Sequence, residues 1–169
     1  IGFVTHNTYH FYLLEKVQNE IENVIGSAQP QIEHRKEMPY TDAVIHEIQR
    51  FGDIAPVSLP HATTTDITFR GYNLPKIKLI LRSQKSFYPG HFLDSEGKFK
   101  KNEALIPFSL GKRSCAGENL AKMEMFLFFT TLLQNFTFMA PSGAKLDLSP
   151  AMGLTNSPLP YDMCAIPRG

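Results

Sequence analysis

The apolar positions of this chain change period several times, and each change marks an element. Val17, Ile21, Val24 and Ile25 recur at i, i+4, i+7 and i+8, with Glu15, Lys16, Gln18, Glu20 and Glu22 turned the other way. That spacing predicts an amphipathic helix from about Leu13 or Leu14, and Gly26 is placed to stop it just past its end. Residues 1–12 hold two histidines and no clean period, so no element is assigned there. The polar stretch from Gln29 to Glu37 predicts a loop. A second helix is expected from about Pro39, capped by Thr41 or Asp42, with Tyr40, Val44, Ile48 and Phe51 on one face. Gly52 and Pro56 end it.

Strand-like signals follow. Val57 to Thr65, and then Ile67, Phe69 and Tyr72 before Pro75, predict short strands joined by turns. Lys76 to Ser86 carries only a poor strand pattern, and Phe87 to Phe108 reads as loop around Gly90, Gly97 and Pro107. Between Gly117 and Asn135 the chain is apolar nearly all round, through Leu120, Met123, Met125, Phe126, Leu127, Phe128, Phe129, Leu132 and Leu133. A helix that is apolar on every side is expected to be buried. The proline-bearing tail from Phe136 to Gly169 predicts short strands and turns. The order is helix, helix, small strands, long loop, buried helix, strands. It gives an α+β class that is mainly helical, with small β-sheets.

Composition narrows the function classes. The 169 residues, with 43% hydrophobic and 20% charged, suit one ordinary domain and exclude wholesale disorder, collagen and coiled coil. Seventeen basic against sixteen acidic residues leave a net charge of +1, too small for a dedicated nucleic-acid binder. Cys115 and Cys164 are too few and too far apart for a disulfide scaffold. The most apolar stretch, Met123 to Leu133, carries Glu124 and falls well short of the ~20 apolar residues a bilayer core requires. The start shows neither a basic n-region nor a small-residue cleavage site, so no targeting segment is expected in this chain.

The chemistry concentrates in Phe108-Ser-Leu-Gly111-Lys-Arg113-Ser-Cys115-Ala-Gly117-Glu118. A lone cysteine stands between two glycines, just ahead of the apolar helix. Gly111 and Gly117 let the backbone approach a large flat ligand closely. Free N–H groups and the positive dipole end at the helix start favour a thiolate. Arg113 can form charge-assisted hydrogen bonds to an anion such as a carboxylate, and Phe108 can pack over the ligand's edge. A single cysteine is usually a small buried hydrophobe. A thiolate at a helix start, shielded by aromatic packing, is also what an axial sulfur ligand to haem iron needs.

These residues resemble the cysteine-ligand loop of the cytochrome P-450 family, Phe-x-x-Gly-x-Arg-x-Cys-x-Gly. Five fixed identities match by chance in on the order of 10⁻⁴ of chains this long. Glu47-Ile-Gln-Arg50 is a weak motif alone, because Glu and Arg three apart on a helix usually form a solvated pair. Beside the cysteine loop it is similar to the family's Glu-x-x-Arg helix, which implies a brace completed by His91 from Tyr88-Pro-Gly-His-Phe-Leu-Asp94. The stretches Met38 to Arg50, Ser58-Leu-Pro-His61 and Gln134-Asn-Phe136 are similar to family 2 of the microsomal enzymes, its C subfamily especially.

The resemblance implies heme b, molecular oxygen, an NADPH-dependent cytochrome reductase as electron donor, and oxidation of lipophilic small molecules. It implies the endoplasmic reticulum membrane, cytoplasmic face, reached through an anchor with no counterpart in these residues. It implies that Cys115 is the iron ligand, that Arg113 and His61 reach the haem propionates, and that Val57, Ser58, Leu59 and Leu154 contact substrate. Apart from the family, His61 reads equally well as a turn residue beside Pro60, and the four substrate positions as core. Lys98, Lys100, Lys101, Lys112 and Arg113 form either a basic face for an acidic reductase or a solvated loop.

The match runs from about Leu14 to Gly169. It divides the chain into an unassigned or non-homologous start, 1–12, and the C-terminal part of a single cytochrome P-450 domain, 13–169. The distal half of the haem pocket and the oxygen-activating helix have no counterpart here. Roughly a dozen residues that relatives carry between the counterparts of Pro75 and Pro89 are missing too, which is expected to shift His91 relative to Glu47 and Arg50. The expected function is a haem-thiolate monooxygenase. The alternatives are a truncated, non-catalytic isoform or gene-model fragment that cannot enclose haem, and a module that binds haem weakly or occupies a reductase surface.

Overall fold

A computed structural model describes residues 8–52, 65–69, 71–74, 87–102, 105–142, 144, 149–151 and 155–169. Three helices carry the core: α1 (Thr8–Val24), α2 (Pro39–Gly52) and α3 (Glu118–Asn135). The strands form three two-stranded antiparallel sheets. β1 (Ile67–Phe69) pairs with β2 (Tyr72–Leu74), β3 (Phe136–Met139) with β6 (Cys164–Pro167), and β4 (Pro150–Ala151) with β5 (Ser157–Pro158). This mixed α+β architecture, mainly helical with minor sheets, is the class the sequence predicts.

The first amphipathic face forms as its spacing requires. Leu13, Leu14, Val17, Ile21 and Ile25 are buried and meet Met38, Val44, Ile45, Phe126, Leu133 and Phe138 in one cluster. Each such side chain contributes about 1.5–3 kcal/mol when fully buried. Gly26 ends the helical run at φ +60, the left-handed position that favours glycine. The helix starts earlier than its apolar period does, at Thr8, because hydrogen bonding continues through a first turn that has no amphipathic pattern.

Two expectations near α2 are corrected. The polar stretch before it is not wholly loop: Ile32–Glu37 forms a 3-10 helix. Neither Thr41 nor Asp42 caps α2. The carboxylate of Glu20, expected to face solvent on α1, instead accepts the N–H groups of Tyr40 (3.1 Å) and Thr41 (2.7 Å). A carboxylate at a helix N-terminus satisfies orphan donors and opposes the positive end of the dipole. Asp42 turns to Arg35, at 2.6 Å, and to His46, at 3.3 Å. The Thr41 hydroxyl is buried with no partner among the described residues.

The third helix is also less enclosed than its composition predicts. Phe126, Thr130 and Leu133 are buried, whereas Phe128 is 67% exposed and Leu120, Met123 and Leu132 also reach solvent. Only one face of α3 packs on α1 and α2. Its C-terminal end is tied down by polar bonds: Gln18 donates to the carbonyls of Leu133 and Phe136, and Gln134 to those of Gly26 and Ala28.

Candidate haem-thiolate site

Two pieces of chain bear the predicted site. The first is α2 with the segment that docks on it. Pro89–Phe92 forms a 3-10 turn, and Leu93 bridges to Phe99 around a bend whose Gly97 has φ +77. Phe92 is fully buried, parallel to Phe99 at 6.4 Å and tilted against His46 at 5.5 Å. This aromatic contact holds the segment on α2.

At that junction Glu47 is 0% exposed. Arg50 holds its carboxylate bidentately, Nε to Oε2 at 2.6 Å and a terminal nitrogen to Oε1 at 2.7 Å. The Tyr88 N–H donates to Oε1 at 2.5 Å, and His91 Nδ1 lies 3.3 Å from both oxygens. A buried carboxylate is tolerated only when paired and hydrogen-bonded, and this one has four donors at hand. Hydrogen bonding to Glu47 raises the Arg50 pKa further, against the opposing effect of burial. The structure therefore brings Glu47, Arg50 and His91 together, with the Glu47 carboxylate buried and Arg50 partly exposed. His91 lies within reach of Glu47 in this chain, while nearly all of the short segment expected to shift it lies outside the described residues. The Tyr88 N–H leaves no mark in a sequence, since every non-proline residue carries that donor.

The second piece is the cysteine loop. It closes on its own backbone: Cys115 N–H donates to the Phe108 carbonyl at 2.9 Å, Ser114 N–H to Gly111 at 3.1 Å, and Ser109 N–H to Ile106 at 3.1 Å. Gly111 sits at φ +75 with no atom within 4 Å of where a Cβ would stand, so its backbone fits glycine and its outer side is open. Gly117 has an ordinary φ of −91, and a Cβ there would touch Cys115 Sγ at 3.9 Å, a normal contact. Of these two loop glycines, only Gly111 therefore has a conformational need for glycine. Ser109 also takes a positive φ, +65, which is uncommon outside glycine.

Cys115 is exposed, three residues before the first residue of α3, and its carbonyl accepts the Glu118 N–H at 3.3 Å. Phe108 is half-buried, with the Lys122 ammonium 5.8 Å from its ring centre. Leu110 is 68% exposed and Leu120 is exposed on the other side of the cysteine in sequence. A porphyrin bound through one axial sulfur asks for a reachable thiol, open backbone beside it and apolar surface around it. Cys115, Gly111, Leu110 and Leu120 fit that demand. Among the described residues no three His, Cys, Asp or Glu side chains gather to hold a bare metal ion.

The backbone of Arg113 lies in a short 3-10 turn, Gly111–Arg113. Val57, Ser58, Leu59, His61 and Leu154 lie outside the described residues, as does nearly all of the shortened segment before Phe87. Lys98 pairs with Glu96 at 2.7 Å, while Lys100, Lys101 and Lys112 are exposed.

Both the loop and the Glu47–Arg50 segment lie inside a family match. The model of the family described as Cytochrome P-450 covers residues 10–165. The chain belongs to the cytochrome P-450 family. It is 49% identical to cytochrome P-450 2K3 of Oncorhynchus mykiss over 164 residues, which is 95% of this chain and 33% of that protein. Cytochrome P-450 2J2 of Homo sapiens is 48% identical, over 91% of this chain and 33% of the relative. Cytochrome P-450 2C25 of Mesocricetus auratus is 47% identical, over 94% and 36%. The likeness is thus to family 2 broadly, with K, J and C members at similar identity, and not to the C branch alone. The chain spans about a third of the length of the curated relatives it matches. Among the described residues no helix is long and apolar enough to cross a membrane.

Proposed function

We propose that this protein contributes the thiolate side of a haem monooxygenase that oxidises lipophilic small molecules. The observation that carries this reading is the exposed Cys115 on a self-closed loop inside a cytochrome P-450 sequence. Cys115 would hold the iron, with Phe108 packed beside the sulfur and Gly111 leaving room for the porphyrin plane. Arg113 and His61 would hold the propionates. Bound there, haem b supplies the reductive activation of molecular oxygen.

The chain's own residues do the positioning. The Phe108 carbonyl fixes the Cys115 backbone. Glu47, Arg50 and His91 hold the 87–102 segment against α2. Val57, Ser58, Leu59 and Leu154 would face substrate. Electrons would come from an NADPH-dependent reductase, and the exposed Lys100, Lys101 and Lys112 offer positive charge to an acidic partner. By the same family reading the protein works at the cytoplasmic face of the endoplasmic reticulum membrane.

The test is addition of haem to the chain. The parent should give a thiolate-type Soret band that Cys115→Ser lacks. Equal spectra in the two would refute the assignment.

A further inference from the structure

In the stretch Tyr88-Pro-Gly-His91 the side chains act as one unit. Pro89 is buried and opens the 3-10 turn Pro89–Phe92. The Tyr88 ring lies back over Gly90 and against His91, with the two ring centroids 5.3 Å apart and their planes at 89°. We propose that Tyr88 is a positioning residue: its ring holds the His91 imidazole with Nδ1 on the Glu47 carboxylate, and so fixes the segment that leads into the cysteine loop.

Gly90 shows how closely the ring is seated. It takes no positive φ, so its backbone does not ask for glycine. A Cβ there would stand 2.4 Å from Cε1 and Cζ of the Tyr88 ring and 2.6 Å from its Oη, closer than such atoms approach. The glycine is therefore needed by the ring and not by the turn. The perpendicular contact with His91 is an arrangement that aromatic pairs prefer at this separation. The His91 side chain is 41% exposed, so other orientations are open to it. The one adopted puts Nδ1 3.3 Å from both Glu47 oxygens. A carboxylate only accepts, so Nδ1 carries the proton in that contact. Tyr88 also donates its backbone N–H to Oε1 of the same carboxylate. Backbone and ring of one residue thus act on the two ends of the Glu47–His91 contact. A ring pair of this kind shifts a two-state orientation by roughly two- to tenfold. The path onward is short: Lys100 N–H donates to the Phe92 carbonyl at 2.8 Å, and Leu105 N–H to the Asn102 carbonyl at 3.0 Å. The consequence for haem rests on the function proposed above; the orientation of His91 does not.

The test labels the full chain with ¹⁵N-histidine and reads the imidazole nitrogens by NMR without haem, His91 being the signal that His91→Asn deletes. The parent should show Nδ1 protonated. Tyr88→Phe, which keeps the ring, should leave that signal in place. Tyr88→Ala and Gly90→Ala should both shift it towards the tautomer mixture of an unrestrained histidine, the first by deleting the ring and the second by turning it out. The ring is half in solvent, at 52% exposure for Tyr88, so neither change opens the core. Once haem is loaded, its transfer to excess apomyoglobin should be a few-fold faster from Tyr88→Ala than from the parent or Tyr88→Phe. A His91 signal unmoved by Tyr88→Ala or Gly90→Ala, displaced in Tyr88→Phe, or unprotonated at Nδ1 in the parent would overturn the positioning role. Equal rates of haem transfer would overturn its reach to the cysteine loop. Failure of all these proteins to take up haem would count against the function proposed above, and the imidazole signals would still decide this inference.

Discussion

Glu47 and Asp42 sit one helical turn and a half apart on α2 and are both buried, yet they answer to different tests. Glu47 has its charge answered by Arg50 within 2.7 Å, and by the Tyr88 N–H. Removing it takes from Arg50 the carboxylate that answers its charge, at a junction where Glu47 itself is shielded from water. Glu47→Ala should therefore cost ~3–5 kcal/mol in urea unfolding; a loss below ~0.5 kcal/mol, usual for surface sites, would mean the pair is solvated. For Asp42, burial pushes the pKa up, but hydrogen bonds from His46 and Arg35 outweigh it and hold the carboxyl below its ordinary value. A depressed folded pKa stabilises the fold above the unfolded value, and that stability is lost as pH falls through the folded one. The stability gap between the parent and Asp42→Asn should thus be full at neutral pH and close as pH drops below about 3.8. A gap of constant size across that window would show that Asp42 acts through packing alone.

At the level of elements, the helices make contacts that the hydrophobic period does not announce. Glu20 links α1 to the start of α2 through two backbone N–H groups. Glu20→Ala should lower stability by about 0.5–2 kcal/mol, as loss of a helix cap does. Glu20→Gln, which keeps an acceptor, should recover part of that in a thermal melt; identical losses in the two would argue against capping. Phe126 and Phe128 test how α3 sits. They are two residues apart, so they lie on different sides of the helix, and one is 0% exposed while the other is 67%. Phe126→Ala should cost ~3–5 kcal/mol, and Phe128→Ala should stay near the ±0.5 kcal/mol of a surface change. Similar costs at both positions would mean that α3 is enclosed on both sides. An exposed phenylalanine beside Leu120, Met123 and Leu132 is an unusual amount of apolar surface for one helix.

For the whole molecule, the class, the three helices and the chemical loop were readable because each leaves a local mark. Val17, Ile21 and Ile25 mark α1 by period, and Phe108, Gly111, Cys115 and Gly117 mark the loop by spacing. The cap from Glu20, the turn of Asp42 to Arg35 and the one-sided burial of α3 were not readable. Each depends on which element lies opposite, and a charged or apolar residue reads the same whatever it faces. The buried state of Glu47 lay between these cases: i, i+3 spacing predicted its partner Arg50, but only packing by Pro89–Phe92 decides that water is excluded. The central claim is that Cys115 is the axial ligand of a haem-thiolate protein. The most direct measurement is the reduced, carbon-monoxide difference spectrum of the haem-loaded protein and of Cys115→Ser. The account predicts a thiolate-type Soret band in the parent and its complete loss in the variant, because an alcohol is a far poorer iron ligand than a thiolate. The same band in both proteins would place the iron ligand elsewhere and contradict the account.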